Sequence, residues 1–540
     1  MKKNIITKCL VVIGMITFTG GCSDFLDRAP LGELNGETFY NNESDFEAAS
    51  LSAYSSMLNM FYSPDEGILL SNLLIDDDTR IPRGNNEHED FAWLPNEQSN
   101  RFLFSEIYEG IMRANVIIER LPSAGGFKDE SLKARFEGEA RFLRAFFHFY
   151  LAKNWGTPPV VKQLDVSIED TRKSNSEPGE IWDFIIEDLE FAKNNLPPSY
   201  NAENTGRVTT WAAQSLLGKV YLFSAQWQGN NSHYQNAITE LENVVNNGPF
   251  TLETNFNDNF SLTSENGVES IFEIQFTRGD FNTWLPTDFG LNENQNIGYA
   301  GTARKTWSGA QCDVSCAPAS NVEGYGRGVV TTTLINEFEP NDPRREFTLF
   351  LDGDVYADES DSTYIYNSEW STTGSNIAKY NKPFPLGAYG NPNHGENNER
   401  VIRLADVILM LAEAELLGNN DRTTAANLIN RVRERARDNW EIHNTDPRPA
   451  NLLPDLDPNA MTDAQMFDAL MHERRVELAF EIHRYDDLVR WHRASLIDLD
   501  TLDWGNATAN TNWSERNLLR PYPQREIDLA AGLLVQNPDY

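Results

Sequence analysis

Glu473 and Glu477 lie four residues apart in the run His472-Glu473-Arg474-Arg475-Val476-Glu477-Leu478-Ala479-Phe480-Glu481, which His483, Arg484, Asp486, Asp487, Arg490 and Trp491 follow. On a helix that spacing puts both carboxylates on one face, with arginine beside them. Two chemistries suit such a group. A carboxylate pair can do general acid–base work, as in an all-helical glycoside hydrolase. Alternatively the carboxylates tie adjacent helices together through ion pairs, a task for which the planar fork of arginine is chosen. The apolar Leu470, Leu478 and Phe480 on the same helix favour the second reading. His472 and His483 lack the i,i+4 spacing of helical zinc ligands, and no His-Glu-x-x-His is present. Dinucleotide, Walker and Gly-x-Ser-x-Gly motifs are absent as well. Asp76-Asp77-Asp78 offers oxygen to a structural calcium ion, but without EF-hand spacing it reads as a solvated turn. No cofactor and no metal are expected.

Charge narrows the partners. The 540 residues carry 45 Lys and Arg against 81 Asp and Glu, a net charge of −36. Residues 1–21 contain Lys2, Lys3 and Lys8 and no acid, so the chain without them stands at 42 − 81 = −39. So acidic a surface repels phosphate backbones, and no basic cluster overrides it; nucleic acid is excluded as a partner. Lys2 and Lys3, an apolar run from Leu10 to Phe18 and then Thr19-Gly20-Gly21-Cys22 form a signal peptide ending in a small-residue cleavage site. The apolar run is far shorter than the ~20 residues that span a bilayer. A cysteine after two glycines resembles the lipobox of a bacterial lipoprotein, which makes Cys22 the lipidated residue and lipid the only membrane attachment. Residues 22–36 then read as a polar tether. Cys9 leaves with the signal, and the close pair Cys312 and Cys316 fits a small disulfide clip better than a half-built metal site.

The elements that must position these groups are helices. Apolar residues recur at three- and four-residue spacing over roughly 43–62, 103–121, 129–154, 179–195, 209–227, 233–247, 400–417, 421–438, 463–481 and 484–494. Leu121-Pro122, Gly156 with Pro158, Leu196-Pro197, Gly248-Pro249 and Gly418 supply the stops. Two helix pairs read as degenerate tetratricopeptide repeats: Leu217-Gly218-x-x-Tyr221 with Ala237, Leu241 and Val244, and Ala412 and Glu415 with Ala425, Ile429 and Val432, turning at Gly418-Asn419-Asn420. Such pairs bury their apolar faces only by stacking into a superhelix. From about 250 to 398 the helical period disappears while Gly, Asn, Pro, Ser, Thr and aromatics rise; Ile271 to Phe276 alternates as a strand. The fold class is therefore mainly α, a tetratricopeptide-like α/α superhelix with a loop-rich insertion holding a few short strands. It divides into a helical region at 37–249, the insertion at 250–398, where ligand-binding residues gather, and a second helical region at 399–540.

The run from Glu473 to Trp491 resembles the SusD/RagB family of outer-membrane lipoproteins. Gly138 to Ala145 with Trp155-Gly156-Thr157-Pro158-Pro159, Gly206-Arg207-Val208-Thr209, Arg403 to Met410, Ala425 to Arg435 and the ending Asn537-Pro538-Asp539-Tyr540 are similar to it too, as are Cys22-Ser23-Asp24-Phe25-Leu26-Asp27 and Pro30 at the start. The resemblance implies no catalysis. It implies a glycan-binding lipoprotein on the outer face of the outer membrane, acting as the lid of a SusC-like TonB-dependent transporter. It also implies an early binding loop, here Ile81-Pro82-Arg83-Gly84 and Trp93-Leu94-Pro95-Asn96, with Arg83, Trp93 and Asn96 as contacts. An indole face suits the C–H face of a sugar, and planar polar groups fix its orientation. By aromatic type and loop context the later loops add Trp284, Tyr299, Trp307 and Tyr325. A peptide-binding transporter lid fits the same scaffold.

Overall fold

The computed structural model describes residues 39–62, 75–80, 87–165, 167–277, 299–300, 329–357, 363–379 and 398–540. Cys22 and its tether, Arg83, Trp284, Trp307, Cys312, Cys316 and Tyr325 lie outside them.

Ten helices of ten residues or more carry the described chain: α1 (Glu43–Tyr62), α2 (Gln98–Arg120), α3 (Ser131–Trp155), α4 (Glu180–Asn195), α5 (Thr210–Gln228), α6 (Ser232–Asn247), α7 (Leu404–Ala414), α8 (Arg422–His443), α9 (Asp463–Leu478) and α10 (Arg484–Arg493). None is long and apolar enough to cross a membrane. Local chemistry sets several starts. The Thr209 hydroxyl accepts the Ala212 N–H at α5, Asp421 accepts the Thr424 N–H at α8, and Thr462 with Gln465 forms a capping box at α9. Each helix from α1 to α6 packs on the next, and α6 on α7. α7 then packs on α8 and α9, so the two helical regions run into one stack. A single apolar core includes Phe46, Phe146, Leu217, Phe272, Leu349, Met410 and Tyr522, drawn from all three sequence regions.

The first repeat pair behaves as its small residues demand. A Cβ on Gly218 of α5 would come within 2.6 Å of the Leu241 side chain of α6, and Ala237 is fully buried. The second pair departs from expectation at both ends. Glu399–Arg403 is a strand, β10, rather than the first turn of a helix. It pairs antiparallel with β2 (Ser270–Ile274), and Ile402 sits opposite Phe272. Gly418 is not the turn: Glu415–Asn419 continues as a π-helical turn, and Asn420 ends it with φ 53°. Gly418 is small because a Cβ there would meet the Cβ of Tyr234 on α6 at 2.6 Å. Similarly α9 stops at Leu478 rather than at residue 481. Phe480 (φ 65°) and Ile482 (φ 64°) turn the chain left-handed on either side of Glu481.

The strands are short. β1 (Thr79–Arg80), β5 (Val329–Val330), β6 (Leu349–Phe350) and β9 (Asn376–Ile377) form one antiparallel sheet in the order β1-β5-β9-β6. β3 (Phe276–Thr277) pairs parallel with β4 (Tyr299–Ala300), and β7 (Val355–Ala357) pairs antiparallel with β8 (Thr363–Ile365).

Candidate functional site

The carboxylate pair is built into the core. Glu473 and Glu477 are both 0% exposed. Glu477 accepts from Arg403 at 2.8 Å, from Arg344 at 3.0 Å and from Arg435. Glu473 accepts from Arg344 at 2.6 Å and Arg433 at 3.1 Å. Burial alone would raise the Glu477 pKa, but Arg435, Arg403 and Arg344 together hold it well below the ordinary carboxylate range. A general base needs a free lone pair facing a substrate; these oxygens face guanidinium groups on every described side. The ion-pair reading of the sequence therefore holds. His472, between Glu337 at 2.7 Å and Glu339 at 3.3 Å, is pushed up to about 9 by those carboxylates, against its partial burial. His483 is pushed down to about 3, first by burial and then by Lys219, whose ammonium lies 3.2 Å from Nδ1.

Asp76-Asp77-Asp78 is not a solvated turn. All three residues are at most 4% exposed. Arg484 grips Asp77 through two hydrogen bonds of 2.7 and 2.9 Å, a bidentate fork. Arg475 binds the Asp78 carboxylate at 2.8 Å, Asp77 at 2.9 Å, the Thr333 hydroxyl at 3.0 Å and Glu337 at 3.1 Å. One guanidinium thus joins the segment before β1 to the segment after β5. The Asp76 carboxylate accepts the N–H groups of Asp78 and Thr79 at 3.0 and 3.1 Å. Burial first, and the neighbouring carboxylates second, push its pKa well up. The acids point to arginines and backbone rather than toward a common centre, and no group of His, Cys, Asp and Glu among the described residues fits a metal ion. Sequence reading missed this clamp because Asp77 and Arg475 are about 400 positions apart, and nothing local to either marks the other.

That clamp holds the root of the small sheet. Thr331 donates its N–H to the Asp78 carbonyl at 3.0 Å and its hydroxyl to the Asp77 carbonyl at 2.7 Å. In the sheet Arg80, Val329 and Asn376 lie side by side on neighbouring antiparallel strands. The chain therefore leaves β1 for residues 81–86, arrives at β5 from residue 328, and leaves β9 toward residue 380, all at the same end. Arg83, Trp307 and Tyr325 belong to segments that join the described structure there.

The structure corrects the role of Trp93. Its side chain is 2% exposed, with Nε1–H donating to the His88 carbonyl at 3.2 Å. Phe91 and Tyr485 pack against the ring at centroid distances of 5.8 and 6.4 Å, and the Arg520 guanidinium lies 5.0 Å from its centroid. It is a core ring under the loop and presents no face to a sugar. Three residues on, Asn96 is exposed, as is Leu94. The Leu94 N–H donates to Glu97 at 2.9 Å; burial pushes the Glu97 pKa up to about 7. Tyr299 lies in β4, its backbone opposite Phe276. Trp93 and Asn96 share one loop, while Tyr299 lies in a separate sheet from β1.

Comparison with known proteins agrees with this architecture. Residues 268–540 match the model of the SusD family, and residues 38–222 match a family model described as starch-binding, associating with the outer membrane. The chain is 25% identical over 562 residues to a SusD-like protein of Formosa agariphila, covering 98% of each. It is 26% identical over 507 residues to a SusD-like protein of Bacteroides ovatus, covering 90% of this chain and 83% of that one. A solved structure, a laminarin-binding SusD-like protein, superimposes with a TM-score of 0.68 at 25% identity, covering 93% of this chain and all of that one. The tetratricopeptide-like helical stack, the arginine-clamped C-terminal helices and these matches together show that the chain belongs to the SusD/RagB family.

Proposed function

We propose that this protein is a lipid-anchored glycan-binding protein of the outer cell surface. It captures an oligo- or polysaccharide and delivers it to a SusC-like TonB-dependent transporter as the transporter's lid. The observation that carries the reading is the common end of the sheet at Arg80, Val329 and Asn376, on an arginine-clamped base, from which the chain continues into residue 81 and back to residue 328. A well-tied root for segments that carry aromatic and polar residues is what orienting a flexible chain of sugars requires. The starch-binding description of the matching family model and the laminarin-binding neighbour support the same ligand class.

In this reading Arg83 and Asn96 hydrogen-bond sugar hydroxyls, and Trp284, Tyr299, Trp307 and Tyr325 supply ring faces. Trp93 supports the loop from below. Cys22 carries the lipid, Cys312 and Cys316 close a clip within the insertion, and no cofactor takes part. The role is not catalytic: Glu473 and Glu477, the carboxylates best spaced for hydrolysis, are occupied by arginine. A net charge of −36 favours a neutral glycan over an anionic one. The test is affinity electrophoresis against neutral polysaccharides, laminarin and starch among them, with chain-length analysis of the recovered glycan. Retardation by one of them with no shortening is expected. Shortened products accumulating with time would overturn the reading.

A further inference from the structure

A small cavity lies where the end of α9 meets the start of α10, against the segment before β1. Its volume is about 10 Å³, at the lower limit of the roughly 10–15 Å³ that one water needs on this measure. Asp78, Arg474, Arg475, His483, Arg484 and Asp487 contribute to its lining. Two buried polar atoms of that lining have no hydrogen-bond partner among the described residues: Asp78 Oδ2 and Arg474 Nη2. Their neighbours on the same side chains are fully engaged. Asp78 Oδ1 accepts from Arg475 at 2.8 Å, while Arg474 Nε donates to Asp487 at 2.8 Å and Nη1 to Asp406 at 3.1 Å. Both residues are at most 2% exposed. An orphaned oxygen or guanidinium N–H at that depth costs on the order of 1–3 kcal/mol, more for a charged group.

The pair of orphans defines what fits. One is an acceptor and the other a donor, so the occupant must donate and accept at once. A metal cation has nothing to accept with at Arg474, and it would lie among the guanidinium groups of Arg474, Arg475 and Arg484. A halide has nothing to donate to Asp78. The volume excludes anything larger than one small molecule. Water meets each requirement. We infer that a single buried water bridges Asp78 Oδ2 and Arg474 Nη2, linking the root of β1 to the α9–α10 junction.

This bridge gives the clamp a second strand. Arg475 holds Asp78 directly, and Arg474, pointing the other way from α9 toward Asp406 and Asp487, reaches the same carboxylate through solvent. The adjacent arginines thereby engage both oxygens of one aspartate.

A crystal structure of the mature wild-type chain, at a resolution that shows ordered solvent, tests the inference without any substitution. The expected result is one peak within hydrogen-bonding distance of both Asp78 Oδ2 and Arg474 Nη2, as well ordered as the side chains around it. A neutron map should show a deuteron directed at Asp78 and the water oxygen receiving the Arg474 deuteron. An empty cavity would overturn the inference. So would an anomalous peak there after a bromide soak, or a side-chain shift that pairs Asp78 Oδ2 directly with Arg474. Glycan binding plays no part in this measurement, so its outcome is independent of the proposed function.

Discussion

Arg403 and Glu481 meet fork to fork: Nε and Nη2 of the arginine donate to the two carboxylate oxygens at 2.7 and 2.8 Å, with both side chains within 1% of full burial. The remaining Arg403 nitrogen donates to Glu269 and Glu477, each near 2.7–2.8 Å, so one guanidinium joins β10 to the end of α9 and to the segment before β2. The left-handed Phe480 and Ile482 on either side of Glu481 aim its carboxylate into this fork.

Removing one partner of such a group leaves buried charge without compensation. Arg403→Ala is expected to destabilise the chain by about 3–5 kcal/mol, read as a large fall in melting temperature. Arg403→Lys should recover only part of the loss, because an ammonium cannot reproduce the fork. A melting temperature unchanged by Arg403→Ala would contradict the network.

Trp93 and Asn96 should separate folding from ligand capture. Trp93→Ala empties a filled core position and is expected to cost about 3–5 kcal/mol. Asn96→Ala, on the exposed side of the same loop, should change stability by no more than about 0.5 kcal/mol while weakening retention on a bound glycan. Calorimetry and affinity electrophoresis on both variants check the pair.

Glu477→Gln provides the sharpest discrimination between binding and hydrolysis. It replaces a carboxylate that three arginines hold, so melting temperature should fall steeply. Below that melting point the folded variant should retain glycan as the wild type does, and neither protein should release product. Product formed by the wild type and lost in the variant would assign the pair to catalysis.

Stability should peak near pH 6.5 and fall on both sides. The folded pKa values of Asp77, Glu481 and Asp487 are lowered to about 2, so their contribution is complete above the unfolded carboxylate range and is lost as pH falls through about 2. His88, His148 and His483, buried and lowered to about 3 from 6.5, act in the same direction: below pH 6.5 the unfolded chain takes up protons that the folded chain refuses. His472 acts oppositely. Raised to about 9, it contributes fully below pH 6.5 and loses its contribution as pH rises through 9. His472→Gln should therefore flatten the alkaline side of a melting-temperature profile and leave the acid side in place.

Gly218→Ala sets helix propensity against packing. Alanine favours an isolated helix by about 1 kcal/mol. Here its Cβ would lie 2.6 Å from two carbons of Leu241, and forced overpacking costs about 1–3 kcal/mol. Net destabilisation is expected, and Leu241→Ala in the same chain should relieve the clash.

Periodicity located the ten long helices among the described residues: α6 shows an apolar stripe, and α5, buried on all sides from Ala212 to Gln226, is rich in apolar residues throughout. It misplaced boundaries where tertiary contacts decide. Glu399-Arg400-Val401-Ile402-Arg403 has charges that a surface helix would tolerate, yet the pairing of Ile402 with Phe272 makes it a strand. Gly418 looked like a stop and is instead the close-contact point with Tyr234. The acidic triplet showed its charge but not the arginines that bury it, since those come from two helices far along the chain. Trp93 carried the right residue type for stacking on sugar; only the positions of Phe91, Tyr485 and Arg520 reveal that its faces are already covered.

The four-stranded sheet has a consequence for how such a protein can diversify. Each of its strands is two residues long, and Val330, Leu349 and Ile377 of three of them belong to the same apolar core as the helices. Lys379, two residues beyond β9, still donates to the Glu477 carbonyl and to Glu481, so the stack's described contacts run up to Arg80, start again at Val329 and end at Lys379. The entropic penalty of a longer excursion grows only logarithmically, by about 0.6 kcal/mol for each doubling. Under the proposed function, ligand preference can drift by insertion and deletion at a single seam, while the parts that fold the protein stay under separate selection.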